Sequence, residues 1–376
     1  LKGKPVIAVA GLGAMGLGIA QVFAVAGHPV VATDASPEAR ASAPARLAAA
    51  MGPRVDAGKM TAAERDSVVA RLTVTGDLSA FAPAAMAVEA VAEDIGVKRA
   101  LLADVARHLG PEAVIATNTS SLPVAGVIAG LPNAGRGVGL HFFNPAPAMR
   151  LVELVVPGHA DPVAVARARV LAEGAGKTVI ACGDTPGFIV NRCARPFYGE
   201  ALALLEEGRT AGEIDAAMLA AGYRIGPFGL IDLIGADIHL ASTRTIAAAF
   251  GGHPRYHVFD ALAAQVAAGR LGRKTGAGFL FPGVPGPAPP DAAAIVARIE
   301  ATLANEASSL LGEGAVAEAD IDLAMRLGMN FPGGPLAAAR TRGFDRVRQT
   351  LATLEAAAPA HLVGRYRPVP MIEALK

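Results

Sequence analysis

His141 ends a short apolar run, Gly137-Val-Gly-Leu-His141, and Glu153 stands 12 residues later inside another, Leu151-Val-Glu-Leu-Val-Val156. Histidine is the side chain whose ordinary titration lies closest to neutrality. A base of that kind suits a reaction in which a hydroxyl proton is lost as hydride leaves the same carbon. A carboxylate bonded to the far ring nitrogen fixes the tautomer and favours the charged imidazole. Each residue also has a plainer reading. A histidine at a strand end is commonly a satisfied structural group, and a glutamate in an apolar strand can pair with an arginine.

A second chemical signal lies near the start. Gly11-Leu-Gly13-Ala14-Met15-Gly16 follows a five-residue apolar run and opens an apolar helical stretch. With 43 glycines in the chain, the spacing alone would be weak, and its context gives it meaning. In a dinucleotide-binding turn the first glycine makes the tight corner. The second lets the backbone approach the pyrophosphate, and the third allows helix and strand to pack closely. The helix N-terminus then faces the phosphates with free N–H groups. Asp34 ends the next apolar run, 18 residues after Gly16. A carboxylate there accepts hydrogen bonds from the adenosine ribose and repels a 2′-phosphate, which favours NAD over NADP. The plain alternative is a glycine-rich corner beside a surface aspartate.

Further polar groups lie at run ends. Asn118-Thr-Ser120-Ser-Leu-Pro and His141-Phe-Phe-Asn144-Pro each follow an apolar run, and Asp184-Thr-Pro-Gly-Phe-Ile-Val-Asn191-Arg192 opens a helical stretch. Asn191 could equally cap a helix. Gly272-Arg-Lys274-Thr-Gly lies later in the chain, where Arg273 and Lys274 also read as a solvated basic pair.

The elements that must position these groups are set by periodicity. Apolar runs at residues 5–10, 29–34, 87–91, 113–117, 137–141 and 151–156 read as strands, and residues 14–26 read as a helix. Strand–helix–strand order implies an α/β domain built on a mostly parallel sheet. Residues 36–72 read as a helical hairpin projecting from that sheet. Their Arg46, Arg54, Lys59, Arg65 and Arg71 suit either phosphate contacts or a solvated helix face. Residues 189–207, 213–221 and 228–250 carry helical spacing. The segment 282–290 is rich in Pro and Gly and reads as a linker.

Residues beyond the linker resemble a worn copy of the helical block before it. Ile189-Val-Asn-Arg192 aligns with Ile295-Val-Ala-Arg298, Glu200 with Glu306, Gly208 with Gly314, Ile214-Asp215 with Ile321-Asp322, and Gly226-Pro227 with Gly334-Pro335. In this register Asn191 becomes Ala297, so the later copy reads as structural. The expected organisation is a Rossmann-type domain at 1–183, a helical domain at 184–282, the linker at 283–290 and a second helical domain at 291–376.

Composition bounds the rest. The 376 residues suffice for two or three domains, and a hydrophobic content of 52% argues against disorder. A net charge of +1 gives no electrostatic case for nucleic acid. No apolar stretch has the length of a membrane span. Cys182 and Cys193 form neither a disulfide framework nor a metal-ligand cluster; they read as small core residues and fit a cytoplasmic protein. The chain opens at Leu1 rather than Met, which points to a segment upstream.

Taken together, the glycine turn and the motifs around Ser120, His141, Asp184 and Gly272 resemble the L-3-hydroxyacyl-CoA dehydrogenase family, also called 3-hydroxybutyryl-CoA dehydrogenases. The resemblance runs from residue 11 to about residue 281, and the later copy resembles members with two helical domains in tandem. It implies NAD-dependent, reversible oxidation of (S)-3-hydroxyacyl-CoA to 3-ketoacyl-CoA. His141 would be the general base and Glu153 its orienting group. Ser120 would bond the substrate oxygen, and Asn191 would reach the substrate. Gly11, Gly13, Ala14, Met15, Gly16, Asp34, Glu93, Lys98, Asn118, Ser120, Asn144 and Lys274 would line the cofactor. The partner is then an acyl-CoA, and the resemblance leaves open monomer or homodimer and association with other fatty-acid oxidation enzymes. Other readings are a crystallin-like NAD-binding relative without activity, a dehydrogenase of a hydroxy or sugar acid lacking CoA, and one component of a multifunctional fatty-acid oxidation protein.

Overall fold

The computed structural model describes residues 3–376, and the expected segment upstream of Leu1 lies outside the described residues. The chain divides into two compact units, Leu1–Phe188 and Ile189–Lys376.

The first unit is built on one eight-stranded sheet. Its elements in chain order are β1 (Val6–Ala10), α1 (Ala14–Val25), β2 (Val30–Thr33), α2 (Pro37–Asp56), α3 (Ala62–Val69), β3 (Leu72–Val74), β4 (Ala84–Glu89), α4 (Ile95–His108), β5 (Val114–Thr117), α5 (Val124–Ile128), β6 (Gly137–Phe142), β7 (Leu151–Val156), α6 (Pro162–Gly174) and β8 (Thr178–Gly183). The strand order is β3-β2-β1-β4-β5-β6-β7-β8. Strands β1 to β6 are parallel to their neighbours, β7 runs antiparallel to β6, and β8 is parallel to β7. The chain therefore winds outward from β1 in one direction and from β4 in the other. That reversal leaves a crevice at the carboxyl ends of β1 and β4, where such sheets bind ligands. The central strands are apolar up to their carboxyl ends, where Thr33, Glu89 and Thr117 stand, because helices cover both faces. Ile7, Val9, Val30, Met86, Val88 and Val114 are sealed from solvent.

Two expectations change here. Strands β3 and β8 carry too short or too mixed a pattern to stand out from the sequence, yet both complete the sheet. The hairpin of residues 36–72 forms as α2 and α3, but it does not simply project. Ala43, Leu47 and Met51 of α2 and Val68 of α3 are buried in the core of the unit. Among its basic residues, Arg46 donates to the carbonyls of Leu12 and Ala39, and Arg71 donates to that of Ala24. Those two brace the backbone instead of forming a solvated face, whereas Arg54 and Lys59 are exposed.

The second unit contains α7 (Val190–Cys193), α8 (Arg195–Glu206), α9 (Ala211–Ala220), α10 (Pro227–Ile234), α11 (Ala236–Ala249), α12 (Asp260–Ala267), α13 (Ala292–Gly312), α14 (Glu318–Met329), α15 (Pro335–Arg342), α16 (Phe344–Ala356) and α17 (Pro370–Ala374). The stretch 228–250, one run by periodicity, is broken at Gly235, whose φ of 109° a side chain would resist. The same break recurs at Gly343, between α15 and α16. The 21-residue α13 packs on α8 and α9 from before the proline-rich segment and on α15, α16 and α17 from after it.

The internal repeat has a physical counterpart in this unit. Arg192 Nε donates to Glu306 at 2.7 Å, and Arg298 Nε donates to Glu200 at 2.5 Å. The aligned residues thus bind crosswise, each arginine on the other copy's glutamate. Tyr256 donates to Glu306 and Tyr366 donates to Glu200. Arg192 also pairs with Glu313, and Arg298 with Glu207, again at matching positions. Asp215 accepts from the first N–H groups of α10, and Asp322 does the same for α15. Among the described residues, no helix is long and apolar enough to cross a membrane.

Candidate active site

The turn between β1 and α1 has the shape a dinucleotide needs. Gly11 holds a φ of 103°, and a Cβ there would lie 2.5 Å from the carbonyl oxygen of Ala90, so the turn is pressed against the end of β4. A Cβ on Gly16 would meet the carbonyl of Gly11, which keeps α1 close to its strand. Gly13 is exposed, with open space where a Cβ would stand. Ala14 and Met15 begin α1, whose first turn carries no acidic residue to repel a phosphate. Asp34 lies just beyond β2. Its Oδ2 accepts from Leu12 N–H at 2.7 Å and its Oδ1 from Ser36 N–H at 2.9 Å. Those bonds fix the carboxylate, and the lone pairs left over can accept ribose hydroxyls. These residues fit NAD.

His141 and Glu153 are direct partners in the β6–β7 ladder. In an antiparallel pair, opposed residues project to the same face, and here Nδ1 of His141 lies 2.7 Å from Oε2 of Glu153. Glu153 is fully buried and His141 is 5% exposed, so bulk water is kept from the bond. The rings of Phe143 and Phe188 stand 4.5 and 5.7 Å from the imidazole and limit its rotation. With Nδ1 engaged, Nε2 is the nitrogen left to meet a reactant.

Three further groups converge on the ends of β4 and β5. Asn118 accepts the N–H of Phe142 through its Oδ1, which ties the end of β5 to the strand carrying His141. Glu93 Oε1 accepts from the Thr119 hydroxyl at 2.6 Å, from the backbone N–H groups of Ser120 and Ser121 at 3.0 and 3.2 Å, and from the Ser121 hydroxyl at 2.9 Å. Partial burial pushes the Glu93 carboxyl upward, but the Thr119 hydroxyl, the Lys98 ammonium and the Ser120 and Ser121 donors hold it below its ordinary value. Lys98 is 1% exposed and lies 3.2 Å from the other oxygen of Glu93. The loop bearing Ser120 is also held from its far end, where Asp184 accepts the N–H groups of Val124 and Ala125 at the start of α5.

Three residues that hold this arrangement carry no role in the sequence-based expectations. Glu89 is fully buried and accepts from Val91 N–H, Lys98 and Thr117 at 2.7 Å each. Asp184 figures there only as the first residue of the motif that opens a helical stretch. Lys177 is buried and donates to the carbonyls of Ala146 and Met149, in the loop that leads from His141 to Glu153. An acid inside the apolar run around Val88 was the available signal for Glu89. The signal for Lys177 was weaker, a lysine just before an apolar strand. Asn144 lies exposed in that same loop. Asn191 lies on α7 of the second unit. Lys274, also in the second unit, pairs with Asp237 at 2.5 Å.

Residues 6–185 match the family model for the NAD-binding domain of 3-hydroxyacyl-CoA dehydrogenase. The model for that family's C-terminal domain matches over 187–281 and again over 295–375. The 3-hydroxyadipyl-CoA dehydrogenase of Escherichia coli K12 is 33% identical, with 97% of this chain and 96% of that relative covered. A 3-hydroxybutyryl-CoA dehydrogenase of Mycobacterium tuberculosis is 37% identical over 73% of this chain and 96% of its own. The crystal structure of a 3-hydroxybutyryl-CoA dehydrogenase from Escherichia coli K12 aligns with a TM-score of 0.90 at 32% identity, covering 100% of this chain and 98% of that one.

Proposed function

The chain belongs to the 3-hydroxyacyl-CoA dehydrogenase family, and we propose that His141 is the base of its NAD-dependent, reversible oxidation of (S)-3-hydroxyacyl-CoA to 3-ketoacyl-CoA. The observation that carries this assignment is the buried 2.7 Å contact between His141 Nδ1 and Glu153. Bound NAD supplies the acceptor for the hydride that leaves C3. Nε2 of His141 takes the hydroxyl proton, and Glu153 holds the ring in the tautomer that presents Nε2 and steadies the imidazolium that results. In the reverse direction the same nitrogen returns the proton to a 3-keto oxygen.

Ser120 bonds the substrate oxygen, and the hold of Glu93 and Asp184 on its loop makes that donor a fixed one. Asn191 contacts the substrate. Asp34 receives the adenosine ribose. Glu93, Lys98, Asn118, Asn144 and Lys274 line the cofactor side, together with the glycine turn from Gly11 to Gly16. The substrate is an acyl-CoA, as the names of the relatives suggest. Those names differ in the acyl group, one a six-carbon diacid derivative and the others four-carbon chains.

The second helical copy is structural in this reading. It supplies the crosswise partners of Arg192 and Glu200 and completes a surface that a single copy would have to cover by dimerising. The two buried cysteines fit a cytoplasmic setting.

NADH formation measured with 3-hydroxybutyryl-CoA, longer 3-hydroxyacyl-CoAs, 3-hydroxyadipyl-CoA and free 3-hydroxybutyrate tests the substrate class. Turnover of the thioesters and little of the free acid is expected. Equal turnover of the free acid would remove CoA from the assignment.

A further inference from the structure

The charges beneath the carboxyl ends of β4 and β5 do not cancel. Glu89 accepts three hydrogen bonds, one of them from the Lys98 ammonium, an arrangement that suits a carboxylate. Lys98 is shared between Glu89 at 2.7 Å and Glu93 at 3.2 Å. The other donors around the two acids are neutral: the Thr117, Thr119 and Ser121 hydroxyls and the N–H groups of Val91, Ser120 and Ser121. Two acids and one ammonium leave one negative charge. Glu89 and Lys98 are buried and closely paired, so the surplus charge falls mainly on Glu93, which is partly exposed and which solvent screens in part.

The fold fixes which half of the cofactor this charge meets. Asp34 places the adenosine beyond β2, on one side of β1. The glycine turn sets the pyrophosphate at the N-terminus of α1. The nicotinamide half of a bound cofactor would then extend over β4, β5 and β6, toward His141. Hydride transfer carries two electrons and one proton from C3 to the ring, while the hydroxyl proton goes to His141. The ring changes from a cation to a neutral group.

We propose that Glu89 and Glu93, only half balanced by Lys98, shift the site's relative affinity toward the oxidised cofactor and away from the reduced one. Glu89 is a positioning residue in this scheme: it is sealed beneath the surface and acts through Lys98 and through the field of its charge. The inference rests on the reading that the nicotinamide faces His141, and binding measured without substrate separates the two. Loss of turnover in a His141 variant bears on the base, whereas the ratio of cofactor affinities bears on the charge.

The test uses the full chain and no substrate. Dissociation constants for NAD⁺, by calorimetry, and for NADH, by its fluorescence, are measured for the wild type, Glu89→Gln, Glu93→Gln and Thr117→Val. A unit charge acting across several ångströms in a partly screened interior changes the affinity ratio by about three- to tenfold. Both glutamine variants should therefore weaken NAD⁺ relative to NADH by about that factor. Thr117→Val removes a hydrogen bond to Glu89 without removing charge, so it should leave the ratio where it was. The partly exposed Glu93→Gln decides the matter on its own if Glu89→Gln does not fold. Equal weakening of both cofactors in Glu93→Gln, or an unchanged ratio, would overturn the proposal.

Discussion

Each unit buries two glutamates completely or nearly so, and the pairs are put to different use. In the first unit, Glu89 and Glu153 are both 0% exposed. They meet a lysine from α4, a threonine at the end of β5, a backbone N–H just past β4 and a histidine from β6. In the second unit, Glu200 meets Arg298 and Arg365, Glu306 meets Arg192 and Arg255, and each accepts a tyrosine hydroxyl, all from the opposite copy. A buried carboxylate always needs donors. Under the proposed function, the identity of those donors separates an acid that orients chemistry from one that fastens two halves of a fold. The repeat sharpens the contrast: Arg, Glu and the capping Asp are kept in both copies, while Asn191 is replaced by Ala297.

The contrast predicts different failures. Glu153→Gln should lower turnover by about 10²- to 10⁴-fold, the usual worth of acid–base assistance, with NAD affinity and unfolding midpoint little changed. Steady-state kinetics beside urea unfolding checks this; a large loss of stability with turnover intact would place Glu153 with the fastening acids. Glu306→Ala should do the reverse. It strips Arg192 of its buried partner and should cost about 3–5 kcal/mol in urea unfolding. Glu200→Ala should cost a similar amount, because it strips Arg298 and the buried Arg365 of their shared carboxylate. A chain ending at residue 290 would lose both pairs, and a stable, monomeric truncation would contradict the fastening role.

A smaller effect distinguishes the capping acids. Burial, with Asp232 nearby, pushes the Asp215 carboxyl up to about 6, against the opposing N–H bonds from Phe228 and Gly229. Below about pH 4 folded and unfolded chains both hold this proton. Between about pH 4 and about pH 6 the unfolded chain has released it and the folded chain has not, so stability falls as pH rises through that window. The loss is on the order of 3 kcal/mol and is complete above the folded value. The stability difference between wild type and Asp215→Asn, measured across that window, should therefore drift with pH. A flat difference would mean that the two N–H bonds fully offset burial, and a drift of opposite sign that they outweigh it.

Much of this was legible in the sequence because it depends on period and local order. The glycine turn, Asp34 and the strands carrying His141 and Glu153 come from runs whose alternation or apolar length is plain. Strand β3, with three residues, and β8, bounded by Thr178 and Gly183 and leaving only four apolar residues between them, are defined by their neighbours in the sheet. The repeat register was readable from Glu200 and Glu306, but not the crosswise pairing, since the choice of partner for an arginine is made by packing. Glu89 read as one more strand residue. Its role arises only when Lys98, nine residues on, turns back from α4.

The central claim is that the imidazole of His141 takes the substrate proton. The most direct test compares wild type with His141→Gln for NADH formation from 3-hydroxybutyryl-CoA and for NAD binding on the same preparation. Turnover should fall by about 10²- to 10⁴-fold while NAD affinity is retained. Turnover that survives the substitution would contradict it.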